Sequence, residues 1–190
     1  MKIAIVSDIH GNIEAFNKVL DIINNEDIKK ILNLGDFVRG RDQDKIMEYI
    51  MNDSRFESIT GNHDEAYCLE VSDNPSEIQK KYIKWIKSQP NKRIVEVCGK
   101  KILMIHSRLN SNRCAPLLYN EGTLNEFMAD YPDDMDLICF GHTHIQLFIE
   151  NFYEKRILNP GSVGLAIGGK VNFAIIEIVN DEFTCKFYKI

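Results

Sequence analysis

The sequence predicts an α/β protein whose strands end in chemically loaded tips. Short apolar runs alternate with helical periodicities through the first part of the chain, and each run stops at a polar motif. The later part turns to β, which suggests a second sheet packed on the first.

Taken in order, Ile3-Ala4-Ile5-Val6 is a continuous apolar run that reads as a strand buried on both faces, and it stops at Ser7-Asp8. Asn12 then offers an N-cap for a helix carrying Ile13, Phe16, Val19, Leu20 and Ile23 at helical spacing. A second strand over 30–34 ends at Gly35-Asp36, with helical signals at Ile46, Tyr49 and Ile50 after it. A third over 56–59 ends at Gly61-Asn62-His63-Asp64. Strand, tip and helix in repetition imply parallel strands, beyond whose carboxyl ends ligands gather.

The middle of the chain predicts a helix capped by Asn74 and entered through Pro75, with Ile78, Tyr82, Ile83, Trp85 and Ile86 as core positions. A hairpin follows, 93–97 with 101–105 around Cys98-Gly99-Lys100, and its second strand ends at His106. Residues 107–120 are polar and irregular and read as a lid or specificity loop; Thr123-Leu124-Asn125-Glu126 offers a capping box for a short helix. A buried strand over 137–140 runs into Gly141-His142-Thr143-His144. Strands over 145–150, 155–158, 171–178 and 182–188 close the chain, with Asn180-Asp181 as a turn. No repeat, low-complexity tract or linker interrupts the pattern, so residues 1–190 are expected to form one domain.

The bulk numbers agree with that expectation. A chain of 190 residues, 44% hydrophobic, can bury one substantial core. Its formal charge of −5 provides no basic field, which disfavours nucleic acid as a partner. The five cysteines are odd in number, widely spaced and never Cys-x-x-Cys, which argues against a disulfide framework or zinc ribbon and for idle thiols in a reducing compartment. The first apolar run is far shorter than a signal-peptide core or a membrane span of about 20 residues, so the expectation is a soluble cytoplasmic protein with no membrane partner.

Every histidine falls in one of the polar tips. Asp8 and His10, separated by one residue, can face the same side of an extended segment and bind one divalent cation. His142 and His144 repeat that spacing after a glycine. In Asn62-His63 the neighbouring side chains should point apart, so one coordinates while the other does something else, such as donating a proton to a leaving oxygen or holding its charge. Asp36 carries two carboxylate oxygens and could bridge two metals about 3.5–4 Å apart. The groups divide into Asp8, His10 and His144 with Asp36, and Asn62, His106 and His142 with the same Asp36. Nitrogen and oxygen donors without thiolate suit manganese, iron, nickel, cobalt or zinc.

With Asp8-Ile9-His10-Gly11-Asn12, Gly35-Asp36 followed by Gly40, Gly61-Asn62-His63-Asp64, His106, Gly141-His142-Thr143-His144 and the turn Asn159-Pro160-Gly161-Ser162, the sequence resembles the calcineurin-like metallophosphoesterases. The matches run in the family's order from residue 8 to residue 162, and the size is similar to that of the small bacterial and archaeal phosphodiesterase members. The resemblance implies a four-layer α/β/β/α sandwich of two mixed sheets flanked by helices, two divalent metal ions, and hydrolysis of a phosphate ester by hydroxide held on them. His63 would protonate or stabilise the departing alkoxide, and Asp64 would orient the His63 ring. The chain departs from the family's pattern in having Ser107 where glycine commonly follows the histidine, and in a longer 107–136 segment.

Arg39, Arg41, Arg108 and Arg113 lie in loops near the expected pocket and could fork onto a second phosphate or a carboxylate of a small or nucleotide-like ester. Two rival functions share the resemblance: a non-catalytic protein-interaction scaffold, against which His63 argues, and a nuclease, against which the acidic balance argues. No exposed apolar stripe stands out on the helices, so the sequence assigns no oligomeric state.

Overall fold

Two five-stranded mixed sheets pack face to face with helices on their outer sides, in a computed structural model that describes residues 1–70, 74–114 and 116–190. The chain runs β1 (Lys2–Val6), α1 (Ile13–Asn25), β2 (Ile31–Asn33), α2 (Gln43–Asn52), β3 (Phe56–Ser58), α3 (Asn62–Glu70) and α4 (Glu77–Ser88). It continues with β4 (Lys92–Val97), β5 (Lys100–Ile105), α5 (Glu121–Met128), β6 (Leu137–Cys139), β7 (Gln146–Phe152), β8 (Lys155–Pro160), β9 (Asn172–Val179) and β10 (Glu182–Lys189). Strand order is β10-β9-β1-β2-β3 in one sheet and β4-β5-β6-β8-β7 in the other.

Side-chain alternation sorts the layers. From β1, Ala4 and Val6 face Phe16, Val19 and Ile23 of α1, while Ile3 and Ile5 face the second sheet. Between the sheets Ile3, Ile5 and Leu32 meet Ile102, Met104 and Leu137. On the far side, Leu103, Ile105 and Ile138 are covered by Leu124 and Phe127 of α5. The parallel trio β1-β2-β3 and the parallel run β5-β6-β8 both deliver their carboxyl ends to the polar tips.

Several expectations are corrected. The last two strands join the first sheet, with β9 antiparallel to β1 and Ile3 opposite Ile176. Because β9 is buried on both faces, its sequence has no alternation to say which sheet it serves. The middle helix starts at Glu77, capped by Ser76 in a capping box with Gln79, so Asn74 and Pro75 lie before it. Ile78 is exposed and Trp85 is half-buried, edge-on to Phe37 with ring centroids 5.6 Å apart. The helix expected from Thr123 begins at Glu121 under an Asn120 cap, and Thr123 is the reciprocal partner in that box.

The 107–120 stretch is in part tied down. Ser107 is buried and its hydroxyl donates to the Cys114 carbonyl, while the Asn112 amide donates to Glu65 of α3 at 2.7 Å. Both predicted tight turns form, with left-handed φ of 52° and 73° at Cys98-Gly99 and 49° and 69° at Asn180-Asp181. The five cysteines are free thiols. Among the described residues no helix is long and apolar enough to cross a membrane.

Candidate metal centre

The loops after β1, β2, β6 and β8 hydrogen-bond to one another past the ends of the sheets. Asp8 N–H donates to Gly35 at 3.0 Å, His10 N–H to Asp36 at 3.0 Å, and Gly164 N–H to Asp8 at 2.9 Å. His142 N–H donates to Asp8 Oδ2 at 3.0 Å. These bonds hold an unusual backbone: Asp8, His10, Asp36, His142 and His144 have φ of 55°, 46°, 55°, 64° and 59°. The extended segments expected from the alternate spacing are therefore replaced by left-handed residues. Each costs about 1–3 kcal/mol when the surroundings do not compensate. Glycine permits the close approach: a β-carbon on Gly61 would lie 2.1 Å from Asp36 Oδ1, and one on Gly141 would lie 2.0 Å from Ser7 Oγ.

The side chains converge in two groups. In one, His144 Nε2 lies 3.2 Å and His10 Nε2 3.7 Å from Asp8 Oδ1, with 3.4 Å between the two nitrogens. In the other, Asn62 Oδ1 lies 3.1 Å from His106 Nε2 and 3.0 Å from His142 Nδ1, and Asp36 Oδ2 lies 3.2 Å from His106 Nε2. Asp36 Oδ2 is also 4.0 Å from His10 Nε2, so one oxygen touches both groups. The other oxygen, Oδ1, accepts the His63 N–H at 2.8 Å. Of the two Asp36 oxygens, Oδ2 thus faces both groups, while Oδ1 is engaged by the backbone of α3.

The proton positions show what these atoms lack. His106 Nδ1 must donate to the Leu34 carbonyl at 2.8 Å, and His144 Nδ1 to the Leu165 carbonyl at 3.0 Å, because a carbonyl only accepts. In the neutral rings both Nε2 atoms then present lone pairs to Asp8, Asp36 and Asn62 oxygens, which are acceptors as well. Among the described residues Asp8 Oδ1 is buried without a hydrogen-bond partner. Acceptors crowded in this way need a cation among them. Ligand atoms about 2.1 Å from one ion sit roughly 3.0–3.4 Å apart around it, close to the separations here. The residues therefore fit a divalent metal, and the oxygen and imidazole donors suit a borderline one.

Without a cation, protons answer the same need. Burial opposes charge on His106, but its bond to Asp36 and the nearby carboxylates push it up to about 9. Burial alone would raise Asp8, yet His10 and His144 hold it below the usual carboxylate range.

His63, at the start of α3, lies outside these two groups but makes a third cluster able to hold a cation with His10 and Asp36, its Nε2 3.9 Å from Asp36 Oδ2 and its ring edge-on to His10. It diverges from Asn62 because neighbours on a helix point about 100° apart, not because of strand alternation. Burial lowers its pKa, partly opposed by Asp36. Asp64 does not orient this ring. Its oxygens accept four backbone N–H bonds, from Asp36, Phe37, Val38 and Gly61, at 2.7–3.2 Å. Burial and the Asp36 charge raise the Asp64 carboxyl, and those amides pull the other way. The partner of His63 Nδ1 is Arg39, at 2.9 Å.

The arginines part company. Arg39 is engaged by His63 and by Glu70, and Arg108 by Asp130 at 3.1 Å and the Glu126 carbonyl at 3.2 Å. Arg113 is exposed on its loop. Arg41 borders a cleft of about 280 Å³ together with His10, Asn12, Glu14 and Leu165. Sequence reasoning underused Asn159 and Ser162, though the closing turn had marked them: Asn159 Nδ2 donates to the Gly141 carbonyl at 2.7 Å, and Ser162 Oγ to the Asp8 carbonyl at 2.8 Å.

The chain is similar to known proteins along nearly its whole length. The chain is 30% identical to the uncharacterised protein MJ0912 of Methanocaldococcus jannaschii, over 97% of this chain and 88% of that one. It is 24% identical to phosphodiesterase MJ0936 of the same organism, over 96% of each. A metallophosphoesterase from Sphaerobacter thermophilus superposes with a TM-score of 0.81 at 22% identity, covering 100% of this chain and 88% of that one. Residues 1–181 match the calcineurin-like phosphoesterase superfamily domain, and the chain belongs to that superfamily.

Proposed function

We propose that the chain hydrolyses a phosphate mono- or diester with two divalent cations, one held by Asp8, His10 and His144 and the other by Asn62, His106 and His142, with Asp36 shared. The convergence of buried acceptors around Asp36 Oδ2, with Asp8 Oδ1 unpartnered, carries this reading. When bound, such a pair activates water and neutralises phosphoryl oxygens, chemistry that manganese, iron, nickel, cobalt or zinc supplies.

The chain's own groups do the rest. The carbonyls of Leu34 and Leu165 fix the ring orientations of His106 and His144. His63, close to both groups and outside them, faces the oxygen that takes up charge as the ester breaks. Arg41, at the cleft beside His10, receives a further anionic group of a small or nucleotide-like substrate. His63 in place favours an enzyme over a binding scaffold, and the charge of −5 disfavours a nuclease.

The test strips the protein with chelator, restores one divalent metal at a time, and compares p-nitrophenyl phosphate with bis(p-nitrophenyl) phosphate. At least one metal restores hydrolysis, and His63→Ala retains metal while losing most turnover. Metal uptake without hydrolysis of a broad ester panel would favour the scaffold, and release of nucleotides from single-stranded DNA would favour the nuclease.

A further inference from the structure

Arg39 follows β2 in a left-handed conformation, φ 74°, and its guanidinium spans two residues of α3. One terminal nitrogen lies 2.9 Å from His63 Nδ1, while the other donates to both carboxylate oxygens of Glu70, at 3.2 and 3.3 Å. A guanidinium has donors only and stays protonated in proteins. The ring atom it meets must therefore present a lone pair. With Nδ1 accepting, the single ring proton sits on Nε2, the atom 3.9 Å from Asp36 Oδ2 and on the side of the metal groups. A proton on Nδ1 would set N–H against N–H, and Glu70 pairs with the other side of the guanidinium.

We infer that Arg39 is a positioning residue that orients His63 and fixes its Nε2–H tautomer, so that His63 presents a hydrogen-bond donor to the ester. This rests on the phosphoesterase reading above. No proton leaves the ring: the breaking P–O bond leaves its electron pair on the departing oxygen, the Nε2–H bond stabilises that charge, and water supplies the proton. A neutral imidazole used as a donor has precedent in other enzymes. The role also accounts for an arginine beside the site whose guanidinium is engaged by side chains of its own protein.

The experiment is long-range ¹H–¹⁵N NMR of the full-length ¹⁵N-labelled chain at neutral pH, metal-free and zinc-loaded, together with steady-state hydrolysis of bis(p-nitrophenyl) phosphate. In the wild type His63 shows an unprotonated Nδ1 and a protonated Nε2. Arg39→Ala mixes the tautomers and lowers kcat by roughly 10–100-fold, the usual effect of losing an orienting partner, with KM nearly unchanged. Arg39→Lys, keeping one donor, restores part of both. A wild-type His63 protonated on Nδ1 would overturn the inference. So would an Arg39→Ala protein that keeps tautomer and kcat while KM rises, which would make Arg39 a substrate contact. If the wild type hydrolyses no ester with any metal, the phosphoesterase reading and the role toward the ester fall together, while the NMR still decides what Arg39 does to the ring.

Discussion

Asp64 shows how much one buried side chain can hold. Its carboxylate collects four amides from two loops and so fixes Asp36, the residue shared by both halves of the site. Asp64→Asn places an NH₂ where N–H groups point and leaves two buried donors unsatisfied. At about 1–3 kcal/mol per lost partner, the expected destabilisation is about 3 kcal/mol. For a chain of this size that lowers Tm by roughly 6–12 °C, measured by thermal melting. An Asp64→Asn protein with wild-type Tm and lost turnover would return Asp64 to the role of orienting His63.

At the level of elements, α5 distinguishes packing from chemistry. Phe127 is 1% exposed and packs on Phe140 and Tyr131, with centroids 5.2 and 4.8 Å away. Phe127→Ala should cost about 3–5 kcal/mol in a denaturant melt while the folded protein still binds metal. A neutral substitution would mean that α5 does not seal the outer face of the second sheet.

Helix starts were legible where the cap adjoins the apolar period, as at Asn12, whose side chain accepts from Ala15 N–H. They slipped at α4 and α5, where two capping residues lie within three positions and the reciprocal partner decides. The pairing of β9 with β1 was not legible, because it joins residues far apart in sequence and both faces of β9 are apolar. The grouping of the site residues was legible because each ends an apolar run. The left-handed backbone beneath them was not, since neither Asp nor His demands that conformation. Nor was the Arg39 contact, which depends on a loop and a helix meeting.

Across the whole molecule, the candidate ligands run from Asp8 to His144 and come from both sheets, so the site exists only in the folded state. Anything that binds there stabilises the fold by mass action, by about 2.7 kcal/mol at a free concentration of a hundred times Kd. Thermal melts should therefore rise steadily with added manganese and fall back with chelator. A Tm indifferent to both would separate metal binding from this fold.

The most direct measurement is anomalous diffraction from a crystal soaked in manganese. Two peaks are predicted, one among Asp8, His10 and His144, the other among Asn62, His106 and His142, each in contact with Asp36. A single peak, or none with those side chains turned apart, would contradict the shared two-ion centre.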